Sequence, residues 1–213
     1  MTGRLWIMAT LALAVALPAH AADRPQVAVL DFDYGTLDRW WGSYDIGKGI
    51  ADQVVDGLVN DGSFRVIERK KLDAILAEQN FAASDRADPD AAKLASMGKV
   101  LGVRYFVTGS ITKYSNEKGG GGVRVKGIGL GGSKAKSEVQ LTARVIDTTT
   151  GEIKIGAKGK GESKKGGGLS FSSSDFGAGF GSDEWRQSAL GDAQEQACED
   201  LVENLAKRAD KLN

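Results

Sequence analysis

The stretch that most constrains this chain is Ser133 to Ser163, SKAKSEVQLTARVIDTTTGEIKIGAKGKGES. Counting by twos, Ala135, Ser137, Val139, Leu141, Ala143 and Val145 fall on one side, and Lys134, Lys136, Glu138, Gln140, Thr142 and Arg144 on the other. That is the period of a half-buried strand. After the turn, Ile153, Ile155, Ala157, Gly159 and Gly161 alternate in the same way with Lys154, Gly156, Lys158, Lys160 and Glu162. Thr148 to Gly151 is a short Gly-ended connection, so the two halves read as an antiparallel hairpin. Both strands run on into glycine-rich inserts, Gly119 to Gly132 before the first and Gly166 to Gly181 after the second.

The 213 residues suit one well-buried domain. Residues 1–21 stand apart: Arg4, the apolar run Leu5 to Leu17 and the small-residue site Ala19-His20-Ala21 have the form of a signal peptide, too short for a spanning helix. Removing Arg4 from 28 basic and 28 acidic residues leaves a net charge of about −1, which argues against nucleic acid or an anionic surface recognised by bulk charge. The lone Cys198 has no internal disulfide partner and lies far from the leader, so the expectation is an exported chain, periplasmic or in the outer membrane, that is not a lipoprotein.

Along the mature chain, QVAVLDFD (Gln26 to Asp33) reads as a buried strand. A loop carrying Trp40, Trp41 and Tyr44 follows. Ile46, Ile50, Val54 and Leu58 form a helical stripe that Gly62 ends. Phe64 to Glu68 is a short strand and Arg69 to Gln79 a helix; Leu94, Met97 and Leu101 mark another helix, stopped by Gly102. Tyr105 to Tyr114 is a strand. Leu190, Ala193, Ala197, Leu201, Leu205 and Ala209 predict a long C-terminal helix. The order β, α, β, α, α, β, β, β, α describes an α/β fold, an α+β sandwich of one sheet with helices packed on it, carrying two Gly-rich β-hairpin extensions.

The only histidine, His20, lies in the leader. Without imidazole and with one cysteine, a Ser-His-Asp triad, a Cys-His pair and a zinc site are all excluded from the mature chain. Asp31 and Asp33 read as a polar strand end. Gly42 to Gly49 approaches a phosphate loop but has Gly49 where Ser or Thr would hold magnesium, and the GxGxxG of Gly127 to Gly132 leads into a strand-period segment instead of a helix. The expectation is no enzyme, no cofactor and no metal.

The inserts divide into two readings. Composition alone gives a solvated Gly/Ser/Lys loop. Patterning gives membrane hairpins, with limbs of about 9–11 residues, the length of a tilted spanning strand. In that case Val123, Val125, Leu169, Phe171, Phe176 and Phe180 face lipid, while Arg124, Lys126, Lys134, Lys136, Lys158 and Lys160 face the lumen.

VAVLDFD, FRVIERKKLDAILAEQ, LGVRYFVTGSIT, GGGGVRVKGIG and LTARVIDTTTGEI together resemble the CsgG family, the outer-membrane channels of curli secretion and their relatives. The resemblance covers nearly all of residues 22–213 and implies a domain similar to anticodon-binding domains, with hairpin inserts at about 115–136 and 160–183. It also implies a homo-oligomeric ring in the outer membrane, each subunit giving two hairpins to a shared barrel that exports unfolded polypeptide without nucleotide hydrolysis. The alternative is a soluble periplasmic accessory protein without a pore. The family's pore loop lies between the first strand and first helix, which makes Trp40, Trp41 and Tyr44 the pore-loop candidates by position, in a spacing that differs from the family's Tyr and Asn-Phe motif.

Overall fold

Eight regular elements can be followed in the structure, a computed structural model that describes residues 24–34, 46–67, 91–125, 128–166 and 187–212. They are β1 (Gln26–Asp33), α1 (Ile46–Asp61), β2 (Arg65–Val66), α2 (Ala91–Leu101), β3 (Tyr105–Val125), β4 (Ile128–Asp147), β5 (Ile153–Gly166) and α3 (Ala189–Ala206), with a 3-10 turn at Ala209–Leu212. The helix expected over residues 69–79 and the loop of Trp40, Trp41 and Tyr44 lie outside the described residues.

The strands form one mixed sheet in the order β2-β1-β3-β4-β5. β1 is parallel to both neighbours, and β4 is antiparallel to both β3 and β5. Helices on both sides of the sheet bury both faces of β1, which explains its apolar run: Val27, Ala28, Val29 and Leu30 are all buried, as is Phe32 beyond Asp31. β2 is shorter than expected, and its parallel pairing extends at each end through the amides of Arg65 and Ile67, bonded to the carbonyls of Pro25 and Val27. Between Ile111 and Lys113 the β3–β4 register shifts, so Ile111 and Tyr114, three residues apart, both turn inward.

One sheet face packs on α1 and α3 through a core that includes Val29, Ile50, Val54, Leu141, Leu201 and Leu205. A smaller cluster of Leu30, Leu94, Met97 and Phe106 seats α2 on the other face. α3 is the better anchored of the helices. Ser188 caps it by accepting the amide of Gly191 at 3.0 Å, and Leu190, Ala193, Ala197, Leu201 and Leu205 point at the sheet as their spacing demands. The helix stops at Ala206, short of Ala209; the chain turns there so that Leu212 is buried and its carbonyl accepts the Tyr105 hydroxyl at 2.6 Å. The hairpin turn is an Asx turn. The Asp147 carboxylate accepts the amides of Thr149 (2.8 Å) and Thr150 (3.3 Å), and Gly151 takes the left-handed conformation at φ 72°.

β5 carries its seat for α3 in two glycines. A Cβ built on Gly159 would lie 2.1 Å from the Ala197 carbonyl oxygen, and one on Gly161 would lie 1.9 Å from that of Ala193, so helix and strand meet backbone to backbone. Gly156, on the opposite face, has nothing within 4 Å of the same position. Gly161→Ala is therefore expected to destabilise by about 3 kcal/mol or more, because backbone cannot yield as side chains do. Gly156→Ala should be neutral or gain about 0.5–1 kcal/mol. Urea titration of the two variants reads the difference, and equal midpoints would refute this packing.

Candidate functional site

The sheet presents two unlike surfaces at its β4–β5 end. Cross-strand pairs Lys136↔Lys164, Glu138↔Glu162, Gln140↔Lys160, Thr142↔Lys158 and Arg144↔Gly156 place all of these residues on the face turned away from α3. Glu138 is the buried centre of that face. It accepts Lys113 Nζ and Gln140 Nε2, each at 2.6 Å, and Lys160 Nζ stands 3.8 Å away. Lys160 reaches Glu162 at 2.6 Å, closing a chain of alternating charge. Hydrogen bonds from Lys113 and then Gln140 hold the Glu138 carboxyl below its ordinary range.

The free edge of β5 is covered by α3. Asp200 Oδ2 accepts the Lys160 amide at 2.9 Å, Asn204 Nδ2 donates to the Lys158 carbonyl at 3.1 Å, and Arg208 Nη1 donates to the Gly156 carbonyl at 2.8 Å. These three residues, spaced four apart, satisfy edge groups that would otherwise template pairing with another chain. The polar stripe at positions 200, 204 and 208 beside the apolar stripe of the helix is the signal that sequence reasoning could have used.

On the helix side, α1 and α3 enclose an open groove of about 480 Å³ whose floor includes Gly57, Cys198 and Val202 and whose rim includes Asp56, Glu195 and Glu199. A Cβ on Gly57 would sit 2.7 Å from Val202 Cγ2, so glycine sets how closely the helices approach. Beneath the groove runs a buried polar chain. Tyr114 Oη donates to Gln194 Oε1 at 2.8 Å, Gln194 Nε2 donates to Gln53 Oε1 at 2.8 Å, and Cys198 Sγ donates to the same oxygen at 3.3 Å. Burial pushes the Cys198 thiol up to about 12, and pushes the Tyr114 phenol well above its usual value, so neither ionises near neutral pH. Cys198 is buried and uncharged, as a structural cysteine is.

The structure places the expected site residues unevenly. Lys136, Lys158 and Lys160 are exposed on one face. Lys158 and Lys160 lie where α3 still backs the strand, within the folded domain. The β3–β4 ladder runs without a break from Lys113↔Gln140 through Lys118↔Ala135 to Val123↔Leu130, Arg124↔Gly129 and Val125↔Ile128, and Lys134 pairs with Gly119. Ile128 to Gly132, the later part of the GxGxxG run, are thus strand residues. Trp40, Trp41, Tyr44, Lys126, Leu169, Phe171, Phe176 and Phe180 lie outside the described residues. Among the described residues no group of three or more His, Cys, Asp or Glu side chains could hold a metal ion, and no helix is long and apolar enough to cross a membrane, which says nothing of strands.

A family model described as curli production assembly/transport component CsgG matches residues 9–211. The chain belongs to the CsgG family. The fold agrees with that of one solved structure in particular. Hypothetical protein CT253 from Chlamydia trachomatis is 12% identical with a TM-score of 0.55, over 87% of this chain and 98% of that one. Lipoprotein GNA1162 from Neisseria meningitidis is 11% identical with a TM-score of 0.45, over 72% of this chain and 90% of that one. The LpoB C-terminal domain from Escherichia coli is 15% identical with a TM-score of 0.43, over 64% and 82%. At 12% identity the likeness to CT253 is one of fold alone. No curated protein sequence matches.

The Glu138 cluster gives a pH prediction. A carboxyl whose folded pKa is lowered contributes stability above its unfolded value of about 4.3 and loses it as pH falls through the folded value. Lys113→Met leaves Glu138 buried with fewer partners and should cost about 1–3 kcal/mol at pH 7. The gap from the parent should narrow as the pH is taken below about 4. Urea midpoints across that range check it; a gap independent of pH would place the cost in packing.

Proposed function

We propose that this CsgG-family chain is a subunit of a homo-oligomeric outer-membrane secretion channel that exports unfolded polypeptide, of the curli type or for a related surface fibre, without nucleotide hydrolysis. The observation that carries this is the uninterrupted β3–β4 ladder. Beyond buried Ser137 and Glu138, residues 117–125 and 128–136 stay paired, matching the about 9–11 residues a tilted strand uses to cross a bilayer. Four strands from one chain cannot close a water-filled barrel, so the reading requires several subunits, each adding a second hairpin from about 160–183. Trp40, Trp41 and Tyr44 would then converge at the ring axis. The reading needs no catalytic residue and no cofactor.

A soluble periplasmic accessory protein is the second reading. It is favoured by the glycines at 119–122 and 131–132, which supply little of the apolar band that lipid-facing strands present.

Membrane fractionation separates the two. A channel stays with outer membranes after carbonate extraction, and Phe171→Arg or Phe176→Arg should weaken insertion by about 2–4 kcal/mol each. A surface loop tolerates the same changes within about 0.5 kcal/mol. In planar bilayers, Trp40→Ala combined with Trp41→Ala should raise single-channel conductance. Recovery of the parent protein in the soluble fraction would end the channel reading.

A further inference from the structure

Charge in this chain is divided between the two sides of one sheet. α1 holds three carboxylates and one lysine, and α3 holds five carboxylates and no basic residue. Their exposed members Asp56, Glu195 and Glu199 rim the groove of about 480 Å³. On the opposite side the β4–β5 face carries Arg144, Lys158 and Lys164 exposed, while its two carboxylates, Glu138 and Glu162, are taken by Lys113 and Lys160. α2 sits on that side of the sheet but packs on β1 and β3. Bare Gly156 leaves a recess of about 550 Å³ beside Arg144, Lys158 and Arg208. The acidic surface is therefore concave between two helices, and the basic surface stands on a flat strand pair behind it.

We propose that these are the two halves of one head-to-tail contact: the β4–β5 face of one copy docks on the α1–α3 groove of the next, with Arg144 and Lys158 entering between Asp56 and Glu195/Glu199. The occupant is a second copy because both complementary surfaces belong to the same chain and face opposite ways, which is the condition for a heterologous, head-to-tail interface, and such an interface makes a ring where its rotation closes. An anionic lipid surface would satisfy only the basic half, and a net charge near zero gives it no bulk attraction. The proposal rests on the oligomeric reading above and names its contact. It assigns Lys158 to the subunit boundary instead of the pore lumen.

Charge exchange tests it on the full chain, by sedimentation velocity in detergent. Glu195→Lys with Glu199→Lys should weaken self-association about tenfold or more, and so should Arg144→Glu with Lys158→Glu. An equimolar mixture of the two variants should assemble again, because only alternating copies then meet with opposite charge. Raising salt from about 0.1 to about 1 M shrinks the screening length from about 10 to about 3 Å and should weaken the parent assembly. Far-ultraviolet circular dichroism checks that each variant is folded. Three outcomes would overturn the proposal: unchanged assembly in both variants, loss in both without recovery on mixing, or loss confined to Arg144→Glu with Lys158→Glu together with lost flotation on phosphatidylglycerol vesicles. A parent that assembles with this charge pattern and passes no current would sink the channel reading alone.

Discussion

The close contact between α3 and β5 is the constraint on which the rest of the structure depends. Two missing Cβ atoms, at Gly159 and Gly161, let the helix backbone settle on the strand. From that seat Leu201 and Leu205 reach the main core, Gln194 meets Tyr114, and Asp200, Asn204 and Arg208 reach across the strand edge. Were the helix lifted by one methyl group, the dispersion contacts of the core and the edge hydrogen bonds would weaken together, because both are steep in distance. Packing and polar satisfaction are thus one geometric event here.

Much of the architecture was legible because it is local. Alternation marked β4 and β5, a continuous apolar run marked β1, and glycines at positive φ end α1 and α2 at Gly62 and Gly102. Family resemblance read from motifs agrees with the family assignment. What escaped depends on residues far apart in the chain. Glycines 159 and 161 look like weak strand positions until Ala193 and Ala197 are seen against them. Tyr114 and Gln194 are separated by 80 positions, and neither announces the other. The shift after Ile111 breaks the two-residue period and disguises which side of β3 is inward. The helical period carried through Ala209 because sequence cannot show that Tyr105 draws the chain into a tighter turn.

The candidate site was legible in charge but not in use. Alternating lysines were visible on one side of the hairpin, while their neutralisation was hidden, because Glu138 and Glu162 share that parity and meet Lys113 and Lys160 only through register. Of these pairs, the exposed Lys160–Glu162 adds little to stability, while Lys113 stabilises the buried Glu138 carboxyl. The effect of the pairs is selective: they remove some charges from the surface field and leave Lys136, Arg144, Lys158 and Lys164 to define it.

The position of α3 in the chain also sets an order of events. A polypeptide delivered N-terminus first presents β4 and β5 before the helix that covers them. Until residues 189–206 arrive, Val139, Leu141, Ala143, Ile155 and Ala157 lack their α3 partners, and the edge amide of Lys160 and carbonyl of Lys158 remain open to water. The domain therefore completes its core only when its last long helix docks.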